Sequence, residues 1–291
     1  KTMSTLKVGA IRGVSASSDA ITVANDGTCT AKITNNLSNK NLIINGACLI
    51  AQRGVSSTST GYQTVDRFQT SISGTDETPA QTQADVASGT TPYTEGFRKS
   101  YKIQNGNQTS GAGTSDRVGI EYRIESQDIA NSGWNYNSAS SFITLSYWVK
   151  SSVAQNFYVR FKSADSPQQA YVIETGSLSA DTWTKITKTI PGNSNIVFNN
   201  DTDEGLSIVW EIFRGTSQTG TRPLNAWAAA DNNTRTPDQT STWYTTNNAT
   251  FEITGVQLEV GSVATDFEHR SFGQELQLCK RYFNNFGATT A

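Results

Sequence analysis

Thr254-Gly-Val-Gln-Leu-Glu-Val-Gly261 alternates strictly: Val256, Leu258 and Val260 interleave with Gln257 and Glu259. That period of two is the pattern of a β-strand with one buried face. A few residues on, the period changes. Leu276, Cys279, Phe283 and Phe286 recur at helical spacing, and Ser271 precedes Gln274 by the interval of a capping box, in which side chain and backbone satisfy each other's free groups at a helix start. The reading is a last sheet strand that turns into a short helix over about Ser271 to Asn284, with Leu276, Cys279 and Phe283 as its packing face.

The alternation recurs upstream. Val118, Ile120, Tyr122 and Ile124 form one set, Ile143, Leu145, Tyr147 and Val149 a second, and Phe157, Val159 and Phe161 a third. Leu206, Ile208, Trp210 and Ile212 form a fourth. Phe97, Lys99, Tyr101 and Ile103 repeat the pattern less cleanly, and residues 182–190, closed by Pro191-Gly192, read as a half-exposed strand. Gly-, Ser-, Thr- and Asn-rich loops separate these segments, the longest at 70–94, 104–115 and 214–250. Many short strands with turn signals and one short helix predict a mostly β protein, an antiparallel jelly-roll-type β-sandwich. Leu145, Val159, Ile208, Trp210 and Leu258 belong to its core. Loops this long in a compact domain are functional or pack on a neighbouring subunit.

Residues 1–38 read as a small β-rich lead-in before a sandwich over 39–291. Leu6, Val8 and Ile11 suggest one strand; Ile21-Thr-Val23 and Cys29-Thr-Ala-Lys-Ile33 flank the turn residues Asn25-Asp26-Gly27. Two or three short strands bury no core alone, so the segment must pack on the sandwich or on copies of itself.

Three stretches carry a resemblance. Asn41-Leu-Ile-Ile-Asn-Gly-Ala-Cys-Leu-Ile-Ala-Gln-Arg-Gly54, Gly61-Tyr-Gln-Thr-Val-Asp-Arg-Phe68 and the run from Thr254 through Phe267-Glu-His-Arg-Ser-Phe272 to Phe283 together resemble a module of tailed-phage structural proteins. The module is of the marine or cyanophage type, from tail fibres and fibre-like appendages. Phe142-Ile-Thr-Leu-Ser-Tyr-Trp-Val-Lys150 is similar to the same family, and also to carbohydrate-binding jelly rolls. The resemblance covers roughly residues 3–284. It implies a non-enzymatic virion structural protein made in the host bacterial cytoplasm. It further implies a homotrimer that contacts other tail or head proteins and attaches to host-surface polysaccharide. A head-decoration or tail-connector module that binds only virion proteins fits the same residues. A polysaccharide depolymerase ranks third, because phage depolymerases are usually long repetitive β-helices and this sequence has no repeat.

Composition removes other classes. Lys+Arg 23 against Asp+Glu 25 gives a net charge of −2, so binding of nucleic acid through counterion release is not expected. No apolar run is long enough to span a bilayer, and no membrane insertion is expected. Cys29, Cys48 and Cys279 are an odd, widely spaced set with no CxxC and make neither a disulfide framework nor a zinc site; Cys48 and Cys279, in apolar-patterned segments, read as small buried hydrophobes.

Candidate chemistry is sparse. The single histidine, His269, sits in the strand-to-helix turn and reads as a hydrogen-bonding corner residue rather than a base. No G-x-S-x-G or H-E-x-x-H occurs. Asp201, Asp203 and Glu204 in Asn199-Asn-Asp-Thr-Asp-Glu-Gly205 are calcium candidates, calcium being the one cofactor in view. Against it, Ile212 stands where an EF-hand needs its bidentate Glu, and an ordinary acidic turn accounts for the same residues. Sorting strand faces gives a richer set. If the alternating apolar residues point inward, Glu121, Arg123, Trp148, Tyr158, Arg160, Glu211 and Phe213 point out. Of these, Trp148, Tyr158, Arg160, Arg123 and Glu211 are the candidate glycan-binding residues, since a ring stacks on a pyranose face while guanidinium and carboxylate grip its hydroxyls. The competing reading buries this face against another subunit or under the long loops.

Overall fold

The computed structural model describes residues 8–14, 21–23, 29–31 and 39–285. The chain divides into two compact units, residues 1–37 and 38–291. In the first, β1 (Ala10–Ile11), β2 (Ile21–Val23) and β3 (Cys29–Ala31) form an antiparallel sheet in the order β1-β2-β3. Val8, Ile11, Val14 and Val23 are exposed. Leu6, the Asn25-Asp26-Gly27 turn and Ile33 lie outside the described residues.

The second unit is a sandwich of two six-stranded antiparallel sheets. The first sheet runs β14 (Trp227–Ala229), β11 (Gln169–Ser177), β10 (Asn156–Ser163), β13 (Glu204–Arg214), β8 (Arg117–Glu125), β5 (Phe68–Ser73). The second runs β12 (Thr184–Pro191), β9 (Phe142–Ser151), β15 (Thr250–Val260), β7 (Lys99–Gln104), β6 (Ala80–Asp85), β4 (Ser56–Ser57). Among the described residues helix is limited to the short α1 (Thr91–Thr94), α2 (Ser126–Ala130) and α3 (Thr242–Thr245), one 3-10 turn, and α4 (Phe272–Lys280).

Alternation places the core as expected: Leu145, Val159, Ile208, Trp210 and Leu258 are all buried between the sheets. Aromatic pairs join the two layers. Trp210 on β13 meets Tyr147 on β9 edge-on at 5.7 Å, and Phe157 on β10 meets Phe251 on β15 at 4.9 Å. Each such pair adds about 0.5–1.5 kcal/mol beyond its buried area.

Three local features depart from the simple pattern. Strand β6 lies inside the stretch read as a 70–94 loop, because its inward side chains are glutamines rather than hydrophobes. Gln81 is fully buried and satisfied. It accepts from Tyr101 Oη at 2.7 Å and Thr64 Oγ1 at 3.2 Å, and donates to the carbonyls of Ser59 and Gly61. On β15 the polar side chains Gln257 and Glu259 are buried too, since residues 265–268 fold over them. Gln257 Oε1 accepts from the Glu268 amide at 2.8 Å, and Glu259 accepts from the Thr265 amide and hydroxyl at 2.8 and 2.6 Å. The terminal helix starts where the capping box predicts, with Ser271 and Gln274 bonded reciprocally, but ends at Lys280. Glu275 and Cys279 form its buried stripe. Leu276 and Phe283 are only half-buried, and Phe286 lies outside the described residues.

Candidate functional site

Register on the first sheet fixes which predicted residues share a face. Tyr158 is opposite Glu211, and Glu211 opposite Gly119; in the next row Arg160, Val209 and Glu121 align, then Lys162, Ser207 and Arg123. The outer face therefore carries Tyr158, Arg160, Glu211, Glu121 and Arg123 together. Trp148 is not among them. It stands on β9 in the second sheet, on that sheet's own outer face, packed with Phe97, Val86 and Ala47 and donating from Nε1 to Glu95 at 3.0 Å. Phe97 joins it there instead of following Tyr101 into the core. Period-two reading separates in from out, but it does not say which sheet a strand joins.

Phe213 leaves the face as well. The ladder between β13 and β8 slips between Glu211 and Phe213, so Phe213 pairs with Val118 and turns into the core. This bulge brings Arg214 out next to Glu211, an i,i+3 neighbour that a regular strand would put on the opposite side.

Glu211 is wholly buried and accepts from Arg160 Nε at 3.0 Å and from Arg214 Nε. Gly119 leaves the room for them: a Cβ there would lie 3.1 Å from the Trp210 carbonyl oxygen and 3.5 Å from Arg214 Nη2. Burial opposes the carboxylate's charge most strongly, yet the attraction and hydrogen bonds of Arg214 and Arg160 outweigh it and hold Glu211 below the usual range. Parts of the 215–245 segment, around Arg222 and Asp238–Gln239, lie across this part of the face. Tyr158 Oη donates to Asp238 at 2.6 Å, Gln239 donates to the carbonyls of Glu211 and Ile212, and Arg222 to those of Ala170 and Ala229. Tyr158 and Arg160 are consequently buried. Of the sequence-derived set, only Arg123 stays open, 45% exposed and paired at 3.0 Å with both Glu121 and Glu204.

That pairing also separates the calcium candidates. Glu204 turns to Arg123, while Asp201 caps its own turn by accepting from the Asp203 amide at 3.1 Å. Asp201, Asp203 and Glu204 do not converge, and among the described residues no group of three His, Cys, Asp or Glu is placed to hold a metal ion. His269 is a corner residue, its Nε2 2.9 Å from the Glu95 carbonyl oxygen and its ring against Phe97 and Phe267. Cys48 and Cys279 are buried free thiols.

Sequence reasoning missed a cleft beside Arg123. Arg53, Tyr62, Asp66, Arg67, Cys279, Tyr282 and Phe283 line a cavity of about 180 Å³. Arg53 lies over Phe283 at 3.6 Å and within 5.9 Å of Tyr62; Arg67 lies over Tyr282 at 3.4 Å. Asp66 pairs with Arg53 at 3.5 Å. Arg67 also donates to the Arg123 carbonyl at 2.6 Å, which fixes the cleft to β8. Burial raises the Tyr62 hydroxyl pKa, against the attraction of Arg123 and Arg67. Tyr62, Tyr282 and Phe283 remain half-exposed. Ring faces beside guanidinium donors and a carboxylate acceptor are what binding of a sugar ring requires. The lining residues all sit in the stretches 41–54, 61–68 and 273–283, yet their spacing alone does not reveal that they meet.

No protein-family model matches the chain, and no curated protein sequence does. Solved structures do. A protein of proposed sugar-binding role from Bacteroides thetaiotaomicron VPI-5482 is 12% identical, with a TM-score of 0.41 over 76% of this chain and 100% of that one. The N-terminal cellulose-binding domain of Cellulomonas fimi β-1,4-glucanase C is 12% identical, with a TM-score of 0.32 over 72% and 96%. The enzymatically active domain of tailspike protein 4 from bacteriophage CBA120 is 10% identical, with a TM-score of 0.38 over 76% of this chain; the chain spans 21% of that structure's length.

Proposed function

We propose that this chain is a non-catalytic virion protein, a tail-fibre or appendage subunit that attaches to host-surface polysaccharide. The observation that carries the reading is the cleft of Tyr62, Tyr282 and Phe283 with Arg53, Arg67 and Asp66, opening beside the exposed Arg123 and its partner Glu121. It is built from the same three stretches that resemble the phage module. Each carboxylate at the cleft is held by a guanidinium, Asp66 by Arg53 and Glu121 by Arg123, which suits recognition of hydroxyls better than proton transfer. The exposed valines and isoleucine of the lead-in are the apolar surface through which three copies would associate, and a trimer multiplies weak sugar contacts into avidity.

The test is calorimetric titration of the full chain with oligosaccharides prepared from host-surface polysaccharide. Binding should be weakened about 3- to 10-fold by Tyr62→Ala, the loss expected of one stacking ring, with the melting temperature little changed. Absence of any oligosaccharide binding overturns the adhesion reading. Release of reducing sugar by the wild-type chain overturns its non-catalytic part.

One observation favours a connector that binds only virion proteins. The Arg67 guanidinium already occupies a face of Tyr282, so that ring serves the protein's own packing. Under that reading Tyr62→Ala would lower stability rather than affinity, and the same titration separates the two.

A further inference from the structure

Under the 215–245 loop, positive charge exceeds negative charge on the first sheet's outer face. Glu211 gives one carboxylate oxygen to Arg160 and the other to Arg214, and both are used. Two more guanidiniums stand beside that cluster. Arg117 is directly opposite Arg214 in the β8–β13 register. Arg235 is fixed nearby through Gln218, whose backbone carbonyl accepts from the Arg235 amide at 2.9 Å and whose side-chain oxygen accepts from Arg214 Nη1 at 3.2 Å. Among the described residues neither Arg117 nor Arg235 has a carboxylate within ion-pair distance. The Nε of each is buried and unpartnered, as are Thr236 Oγ1 and Gln239 Oε1 from the same loop. Both arginines are otherwise only half-buried, so solutes reach them.

Like charges gathered at low dielectric repel, and an unpaired buried donor costs free energy. An oxyanion seated between Arg117 and Arg235 would relieve both. The field of the cluster acts on Arg235. Arg235 is pushed down to about 10, first by burial and then by repulsion from Arg214, Arg160 and Arg117. Planar guanidiniums grip carboxylate and sulfate groups through paired, charge-assisted hydrogen bonds.

We infer that Arg117, set beside the Arg160–Glu211–Arg214 cluster by the β8–β13 register, and Arg235, set there through Gln218, form an anion site for the carboxylate or sulfate group of an acidic saccharide. The site is distinct from the cleft at Tyr62 and does not depend on it. In a polysaccharide with uronic acid or sulfated units, it would favour acidic chains over neutral ones.

The experiment titrates the full chain with inorganic sulfate, with a hexuronate trisaccharide and with a neutral hexose trisaccharide, at low and high salt. The hexuronate should bind, with affinity falling as salt rises. Arg117→Ala and Arg235→Ala should each weaken it about tenfold or more, the loss expected of one charge-assisted contact, while Tyr62→Ala leaves the sulfate response intact. Arg235→Lys should recover part of the affinity. A sulfate response alone, lost in the same variants, assigns the site to free oxyanions and removes the saccharide from the inference. Hexuronate binding that survives both alanine substitutions overturns the site while leaving glycan adhesion standing. No response to sulfate or to hexuronate overturns it outright. Thermal melts control for folding. Because Arg235 is repelled where it stands, Arg235→Ala should not lower the melting temperature, and a marked drop would mean that the guanidinium serves packing instead.

Discussion

Phe213 stacks on Tyr244, ring centroids 4.2 Å apart and planes at 20°, although two residues earlier Glu211 points to the opposite side of the same strand. The slip in the β8–β13 ladder makes both possible. One extra residue in β13 sends Ile212 and Phe213 to the core and leaves Glu211 and Arg214 together outside. If Phe213 stood on the outer face, truncating it would cost little. Buried against Tyr244, Phe213→Ala should cost about 3–5 kcal/mol in denaturant unfolding. A loss near zero would mean that the bulge is misplaced.

The buried carboxylate on the other side of the bulge makes stability depend on acid. Glu211 titrates below its unfolded range because Arg214 and Arg160 overcome the burial that opposes its charge. A depressed folded pKa means a contribution fully present above the ordinary glutamate range and lost as pH falls below that range and through the lower folded pKa. Glu211→Gln should remove that acid-side dependence from the unfolding curve. At neutral pH it should cost about 3–5 kcal/mol, since it leaves two guanidiniums without their counter-charge. Equal stability of the variant at neutral pH would show that the arginines reorganise and that the cluster is not held by Glu211.

Alternation in the sequence carried the core, because inward residues on the long strands are apolar and their neighbours are not. It failed where that contrast disappears. Gln81 faces the core on β6 through hydrogen bonds to Tyr101 and Thr64, so no hydrophobic signal marks its strand. Gln257 and Glu259 read as solvent-facing but lie under residues 265–268. The candidate site depended on still longer-range facts. Trp148 and Tyr158 have the same phase yet stand on different sheets, which only strand order decides. Tyr158, Arg160 and Glu211 are outward but covered by a loop whose path no periodicity records. The cleft at Tyr62 joins residues more than two hundred positions apart in sequence.

Gly255 tests the kink that lets β15 pair with β9 along its length. The ladder slips between Thr254 and Gln257, and Gly255 takes φ +61° there. A Cβ at this position would lie 2.6 Å from Phe97 Cζ, and Phe97 closes the apolar cluster that covers Trp148. Gly255→Ala therefore combines a left-handed backbone with a steric clash against a buried ring. A loss of about 1–3 kcal/mol is expected from the backbone strain, with further loss if Phe97 is displaced. Near-ultraviolet circular dichroism should change too, because the surroundings of Trp148 change. An unaltered spectrum with unaltered stability would mean that this turn of the strand is not the one described.

Cys48 and Cys279 should behave as packing residues rather than as reactive thiols. Burial pushes Cys48 up to about 12 and raises Cys279 as well, so at neutral pH almost no thiolate is available to react. In a Cys29→Ser background, a disulfide reagent should label the folded chain far more slowly than the unfolded one. The same shift predicts the alkaline limb of stability. A thiol whose folded pKa is raised contributes fully below its unfolded value of about 8.5. Above that the unfolded state ionises first, and the contribution falls by about 1.4 kcal/mol per pH unit per thiol until Cys48 itself ionises near 12. Cys48→Ala should flatten this limb while lowering stability at neutral pH through the small cavity it leaves. Rapid labelling of Cys48 in the folded chain at neutral pH, or an alkaline limb unchanged in Cys48→Ala, would show that the residue is open to solvent and not part of the core beneath β15.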